Sequence, residues 1–179
     1  MSRSSKLVIA LLLALGATGF VTAQDYPTRP IRLVVPFAPG GGTDLLARTL
    51  AQKFNEAWGQ TVVVDNRSGG TGAVGSVLVA QAPPDGYTLI LVTSSTHAIS
   101  PNFFRKPPYN PVKDFAPISL IANAPEILVV HPSVPATTIK ELVALAKARP
   151  DTLNYASAGT GTIGHMAAEW FKVVTGTKI

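Results

Sequence analysis

The stretch of residues 31–59 constrains the fold most, because it places a strand, a glycine loop and a helix in immediate succession. A short apolar run at residues 31–35 lies between two prolines and predicts a strand. Leucine and aromatic residues then recur at every fourth position from Leu46 to Trp58, and Gly59 follows. This spacing predicts an amphipathic helix with its stop signal.

The loop that joins these two elements, residues 36–44, contains two prolines and three consecutive glycines. Glycines leave main-chain N–H groups uncovered, and the dipole of a helix favours an anion in front of its N-terminus. We therefore expect the loop to form half of an anion-binding site. No phosphate-loop lysine is present, since Leu45 follows Asp44 and the first cation is Arg48. The negative Asp44 places the ligand on the side of residues 37–41, or else it meets an ammonium group of the ligand.

The next residues repeat the alternation of strand and helix. The sequence predicts strands at residues 61–64 and 87–93, with a helix at 74–82 between them. Such a succession indicates a doubly wound α/β fold with a parallel sheet. A proline-rich connector at residues 100–111 then suggests a boundary between a first lobe, residues 24–99, and a second lobe, residues 100–179.

The second lobe contains further candidate elements. Strands are predicted at residues 115–121, 127–131 and 153–157, and helices at 138–146, which opens on a capping box, and at 162–174. These elements are too few to close a separate α/β domain. We therefore expect the second lobe to be incomplete and the sequence to be truncated at its C-terminal end.

The first 23 residues have the pattern of a cleavable signal peptide. Arg3 and Lys6 precede an apolar core at residues 7–15, and small residues end at Ala23, where we expect cleavage. A retained membrane anchor is the alternative, but the apolar stretch is shorter than the roughly 20 residues that a span needs. Export without a disulfide framework, since the chain has no cysteine, indicates a bacterial periplasm. The formal net charge of +5 falls by two when the leader is removed. The remaining basic residues form no cluster in the sequence, so nucleic acid is not expected as a partner.

Two motifs resemble those of a dinucleotide-binding site and of a serine hydrolase, but each departs from its pattern. Residues 70–75 match G-x-G-x-x-G, but four residues, 65–68, separate the strand from the glycines, and no acidic residue ends the next strand, so no cofactor is expected. Ser157 lies between a predicted strand and a helix, as in a nucleophile elbow, yet Tyr155 occupies the position of the first glycine. An exported serine hydrolase that uses Ser157 stays as the alternative function. The three histidines are far apart, and no metal site is expected.

Three loops at the carboxyl ends of predicted strands remain as the candidate site, because ligands of open α/β sheets bind at those ends. Their hydroxyl and N–H groups suit a carboxylate, and no general base is matched to a nucleophile, so we expect binding without catalysis. The candidate ligand-binding residues are Phe37, Ala38, Pro39, Gly40, Gly41, Thr43, Asp44, Ser94, Ser95, Thr96, Ser157, Gly159, Thr160, Gly161 and His165.

As a set, several of these motifs resemble a known family. The segments that carry the resemblance are residues 26–32, 36–44, 64–67, 84–89 and 155–161, followed by His165 and Glu169. Together they closely resemble the tripartite tricarboxylate transporter substrate-binding family, also called the Bug family. The resemblance implies a periplasmic solute-binding protein of two α/β lobes that close on a small carboxylate, such as a di- or tricarboxylate, an acidic amino acid or an aromatic acid. It further implies delivery to membrane permease subunits by a receptor that we expect to be monomeric.

Overall fold

The computed structural model describes residues 26–179, and the leader and cleavage site expected at residues 1–23 lie outside them. Three parallel strands form one sheet in the order β2-β1-β3. They are β1 (Ile31–Val35), β2 (Val62–Asn66) and β3 (Thr88–Ile90). Leu33 of the central strand lies opposite Val64 on one side and Leu89 on the other. The α/β fold with a parallel sheet is thereby confirmed.

Two helices cover this sheet. Helix α1 (Gly42–Trp58) follows β1 and buries Ala47 and Ala51 against the central strand. It ends at Gly59, whose left-handed backbone (φ 65°) lets its N–H bond back to Asn55, as the stop signal predicted. Helix α2 (Ala73–Ala80) follows β2 and packs on β1 and β3. Central strand β1 is almost fully buried because β2 and β3 pair with its two edges and both helices pack on it.

A compact turn region follows β3. One turn of π-helix (Ser95–Ile99) continues into a 3₁₀ turn (Ser100–Phe103). The ring of His97 packs against those of Tyr109 and Phe115. The Tyr109 hydroxyl donates a hydrogen bond to the main-chain oxygen of Thr96. The proline-rich connector is therefore tied to the end of the sheet rather than separate from it.

The later strand predictions are wrong for the described residues. Residues 115–121, 127–131 and 153–157 form no strand, and Ile118 and Val129 are 81% and 79% exposed. An apolar run becomes a strand only when a neighbouring strand pairs with its backbone, and no part of residues 26–179 does so here. β3 is likewise shorter than the predicted 87–93.

The two later helices do form. Helix α3 (Ile139–Ala148) begins on the predicted capping box, in which Thr138 and Glu141 bond to each other's main chain. Helix α4 (Ile163–Thr175) begins after Thr162 and ends at Gly176. Both carry their start signals in adjacent residues, which explains why sequence predicted them. None of the helices in residues 26–179 is long and apolar enough to cross a membrane.

Candidate functional site

The N-terminus of α1 opens the candidate site. Its N-cap residue, Gly41, is extended and makes no side-chain capping bond. The first helical main-chain bond runs from the N–H of Leu45 to the oxygen of Gly41, so the N–H groups of Gly42, Thr43 and Asp44 precede the helical pattern. A methyl group placed on Gly41 or Gly42 would meet no atom within 4 Å. The surroundings of Gly41 and Gly42 are therefore open, and a helix N-terminus with unpaired N–H groups suits an anionic ligand.

Asp44 faces inward, away from that open space. Only 4% of it is exposed, and its Oδ2 atom accepts hydrogen bonds from the N–H of Gly40 (2.9 Å) and from Nε of Arg48 (3.0 Å). Its Oδ1 atom accepts one from Nδ2 of Asn66 (2.9 Å). The bond from Arg48, with those from Gly40 and Asn66, lowers the pKa of Asp44 to about 2. Both carboxylate oxygens are thus engaged within the protein.

A wide, solvent-open groove of about 2490 Å³ extends over much of residues 26–179, and the first loop lines part of it. It brings together part of the predicted set, namely Phe37, Ala38, Pro39, Gly41, Thr43, Ser94, Ser95 and Ser157. The remaining predicted residues do not line it, namely Gly40, Asp44, Thr96, Gly159, Thr160, Gly161 and His165.

In the loop after β3, one predicted residue is exposed and two are buried, with their hydroxyl groups hydrogen-bonded within the protein. Ser94 is exposed at the groove, whereas Ser95 is buried and its Oγ accepts a hydrogen bond from the N–H of Ile163 (3.0 Å). Thr96 is fully buried, and its hydroxyl bonds back to the main chain of Thr93. Ser95 thereby satisfies one of the N–H groups at the start of α4, and that end is less open than the start of α1.

The second glycine loop, residues 157–162, is tied at its C-terminal end. Thr162 caps α4 by accepting from the N–H of His165, and Nδ1 of His165 accepts from the N–H of Gly161 (3.3 Å). The oxygen of Thr160 accepts a hydrogen bond from the Thr71 hydroxyl (2.8 Å). The loop therefore touches the glycine turn that follows β2.

The surroundings of Ser157 do not resemble those of a catalytic serine. Its hydroxyl is exposed and contacts only the main chain of Gly159, at 3.3 and 3.5 Å. Within residues 26–179 it makes no hydrogen bond to a histidine, as a base would require. The serine hydrolase alternative is not supported. The same residues contain no group of three or more side chains that could hold a metal ion.

The candidate ligand-binding set omits two polar groups near the loops. Glu169 accepts hydrogen bonds from the Tyr155 hydroxyl (2.6 Å) and from Nζ of Lys172 (2.9 Å), and the ammonium of Lys172 lies 5.6 Å from the centre of the Tyr155 ring. The bond from Lys172, followed by that from Tyr155, lowers the pKa of Glu169. The spacing of three residues between Glu169 and Lys172 on a predicted helix was the available signal.

Asn66 is the second missed group. It ends β2 beside the end of β1, where it reaches both Phe37 and Asp44. Neighbouring parallel strands end at the same edge, so a polar residue there could have been connected with the first loop.

Comparison with known proteins gives a consistent result. The family described as "Tripartite tricarboxylate transporter family receptor" matches residues 46–179. BugT of Bordetella pertussis is 36% identical over 180 residues, which cover all of this chain and 55% of BugT. A UPF0065 protein from the tcbD-tcbE intergenic region of a Pseudomonas species is 42% identical over 160 residues, or 89% of this chain and 47% of that protein.

Solved structures give the same picture. Rpa4515 of R. palustris, solved with adipate, superposes with a TM-score of 0.82 at 43% identity, over 87% of this chain and 52% of that one. MatC of Rhodopseudomonas palustris, with bound malate, gives 0.77 at 32% identity, over 86% and 52%. The periplasmic-binding-protein type of fold is thereby confirmed. The chain spans about half the length of the relatives it matches.

Proposed function

This chain belongs to the tripartite tricarboxylate transporter receptor family, and we propose that it is a non-catalytic solute receptor for a small carboxylate. The open N-terminus of α1 carries the proposal. Its unbonded main-chain donors lie at the carboxyl end of the central strand, on the edge of a groove. Neutral N–H donors at a helix N-terminus bind a carboxylate without a buried cation.

The ligand lies on the side of residues 37–41, as the inward orientation of Asp44 favours. One carboxylate oxygen accepts from the N–H groups of Gly42 and Thr43, and the exposed hydroxyl of Ser94 adds a further donor from the loop after β3. Ser157 approaches from the second glycine loop. In the two-lobe arrangement proposed here, with a boundary near Ser100, these loops belong to opposite lobes that close on the ligand.

The cellular setting follows from the leader and from the relatives. We place the mature protein in the periplasm after cleavage near Ala23, as a monomer that passes its ligand to membrane permease subunits. Adipate and malate, which the R. palustris structures hold, are the first ligands to test.

Calorimetry and thermal-shift measurements on the full-length protein test this function. Di- and tricarboxylates, acidic amino acids and aromatic acids are compared with the neutral amides of the same acids. We expect one class of acid to raise the melting temperature and its amide to have no effect. If neutral sugars shift the melt and no carboxylate does, the proposal fails.

A pair of variants locates the binding and separates a receptor from a hydrolase. Thr43→Val keeps the shape of the side chain but removes its hydroxyl at the groove, and we expect weaker binding of the acid. Ser157→Ala weakens binding in a receptor, whereas in a hydrolase it would abolish turnover of a generic ester.

A further inference from the structure

The conformation of the first loop depends on a hydrogen-bonded group beneath it, formed by Asp44, Asn66 and Arg48. One carboxylate oxygen of Asp44 holds the N–H of Gly40, four residues earlier in the chain. This bond closes the loop on itself at a glycine with positive φ (91°). The same oxygen accepts from Arg48, one turn later in α1. The loop is thereby joined to the helix that follows it.

Asn66 joins the loop to the sheet. Its Nδ2 donates to Oδ1 of Asp44 (2.9 Å) and to the main-chain oxygen of Phe37 (3.2 Å), at the other end of the loop. Its Oδ1 lies 3.3 Å from Nη2 of Arg48, which donates to it. A single side chain at the end of β2 thus contacts both ends of the loop and the helix.

Neither Asp44 nor Asn66 lines the groove, whereas Phe37, which Asn66 holds, and Gly41, which follows the Gly40 held by Asp44, both line it. The negative charge of Asp44 therefore acts from behind the loop. Arg48 and the N–H of Gly40 compensate that charge locally, so that the carboxylate is held without being presented to an anion.

We propose that Asp44 and Asn66 are positioning residues for ligand binding, which hold the loop in the one conformation that points its main-chain donors into the groove. This inference rests on the proposed function. A loop held before the ligand arrives loses less conformational freedom on binding, and the ligand binds more tightly for that reason. Asp44 and Asn66 act through the loop and make no contact with the ligand.

The experiment compares matched variants of the full-length protein. Asp44→Asn keeps the size of the side chain but removes its charge and replaces one acceptor oxygen with a donor. If the new amide nitrogen takes the place of Oδ2, Gly40 and Arg48 both lose their partner. If it takes the place of Oδ1, Asn66 loses its partner, and the bonds from Gly40 and Arg48 are weakened by the loss of the charge. Asn66→Ala removes the bonds to both ends of the loop. The control is Asp65→Asn, because Asp65 precedes Asn66 on β2 and is paired with Arg32 and Arg67 but has no bond to the loop.

Two quantities are measured well below the melting temperature of each variant. One is the dissociation constant of adipate or malate, whichever the wild-type protein binds more tightly. The other is the hydrogen-exchange protection of the Gly40 amide. We expect Asp44→Asn and Asn66→Ala to weaken binding by about tenfold or more, with loss of Gly40 protection. Asp65→Asn lowers the melting temperature and leaves both quantities unchanged.

The outcomes separate this inference from the proposed function. If wild-type protein binds no carboxylate, the proposed function fails, and retained Gly40 protection in Asp44→Asn overturns the positioning role as well. Wild-type binding with unchanged affinity in Asp44→Asn and Asn66→Ala overturns the inference alone. An equal loss of affinity in Asp65→Asn also overturns it, because a general loss of stability then accounts for the effect.

Discussion

Two glycine-rich loops follow neighbouring strands of the same sheet, and they differ in what surrounds their glycines. After β1, added methyl groups on Gly41 and Gly42 would enter open space. After β2, a methyl group on Gly72 or Gly75 would collide with Pro36 and its surroundings. Close packing therefore requires glycine at residues 72 and 75, whereas steric crowding does not require it at residues 41 and 42.

This difference shows what the G-x-G-x-x-G pattern of residues 70–75 does here. Gly75 lets α2 lie directly on Pro36, at the start of the first loop, and Gly72 leaves room for the buried Thr96. Residues 69–75 thus support the first loop from behind. Both loops are rich in glycine, but the glycines after β2 serve close packing, whereas those after β1 precede an open helix N-terminus. Only the tertiary structure distinguishes the two roles.

Gly72→Ala is expected to have the largest effect. Gly72 has a φ of +86°, and its added methyl would lie well inside contact distance of Thr96 Cγ2 and 3.3 Å from Cβ of Pro36. Backbone strain and overpacking add together, so we expect the free energy of unfolding to fall by about 2–5 kcal/mol. Denaturant unfolding measures it. A variant as stable as the wild type would show that residues 69–75 are not packed against Thr96 and Pro36 as described.

Gly75→Ala tests packing without backbone strain. Its methyl would lie 3.0 Å from Cα and Cβ of Pro36 and 3.1 Å from the main-chain oxygen of Arg67. Alanine favours the helix by about 1 kcal/mol over glycine, and the overpacking outweighs this, so a net loss of about 1–2 kcal/mol is expected. A gain in unfolding free energy in the same assay would mean that α2 can move away from Pro36.

How far the sequence predicted these structures depended on where the deciding contacts lie. β1, α1 and the capping box of α3 were predicted, because their apolar spacing and end signals lie within a few residues. The strands expected at residues 115–131 required a partner that no described residue supplies. The apolar pattern of these residues is typical of a strand. A strand forms, however, only when the backbone of a distant segment pairs with it.

The candidate site shows the same division. The open helix N-terminus was predicted from three glycines before an amphipathic helix. That Asp44 points inward toward Asn66, 22 residues later, could not be predicted from local pattern. Ser95 and Thr96 were predicted as ligand donors on their hydroxyl chemistry, yet their hydroxyls bond to Ile163 and Thr93 in the structure.

Gly42→Ala tests the other side of the comparison. Its methyl would meet no atom within 4 Å, so the free energy of unfolding should change by no more than about 0.5 kcal/mol. The same methyl stands beside the main-chain donors at the start of α1, and we expect a severalfold loss of affinity for the carboxylate that the wild type binds. Calorimetry beside denaturant unfolding gives both values. Unchanged affinity would mean that the ligand does not approach this helix end.

The two loops also differ in their dependence on pH, because a carboxylate holds the first loop, whereas residues 69–75 rest on Pro36, Thr96 and hydroxyl groups. Folding lowers the pKa of Asp44 to about 2, from about 3.9 in an unfolded chain. Its contribution to stability is therefore fully present above about pH 4 and is lost as the pH falls through about 2. Urea unfolding from pH 5 to pH 2 should show a steeper decline for wild type than for Asp44→Asn. Parallel declines would show that the ionised Asp44 does not stabilise the folded loop.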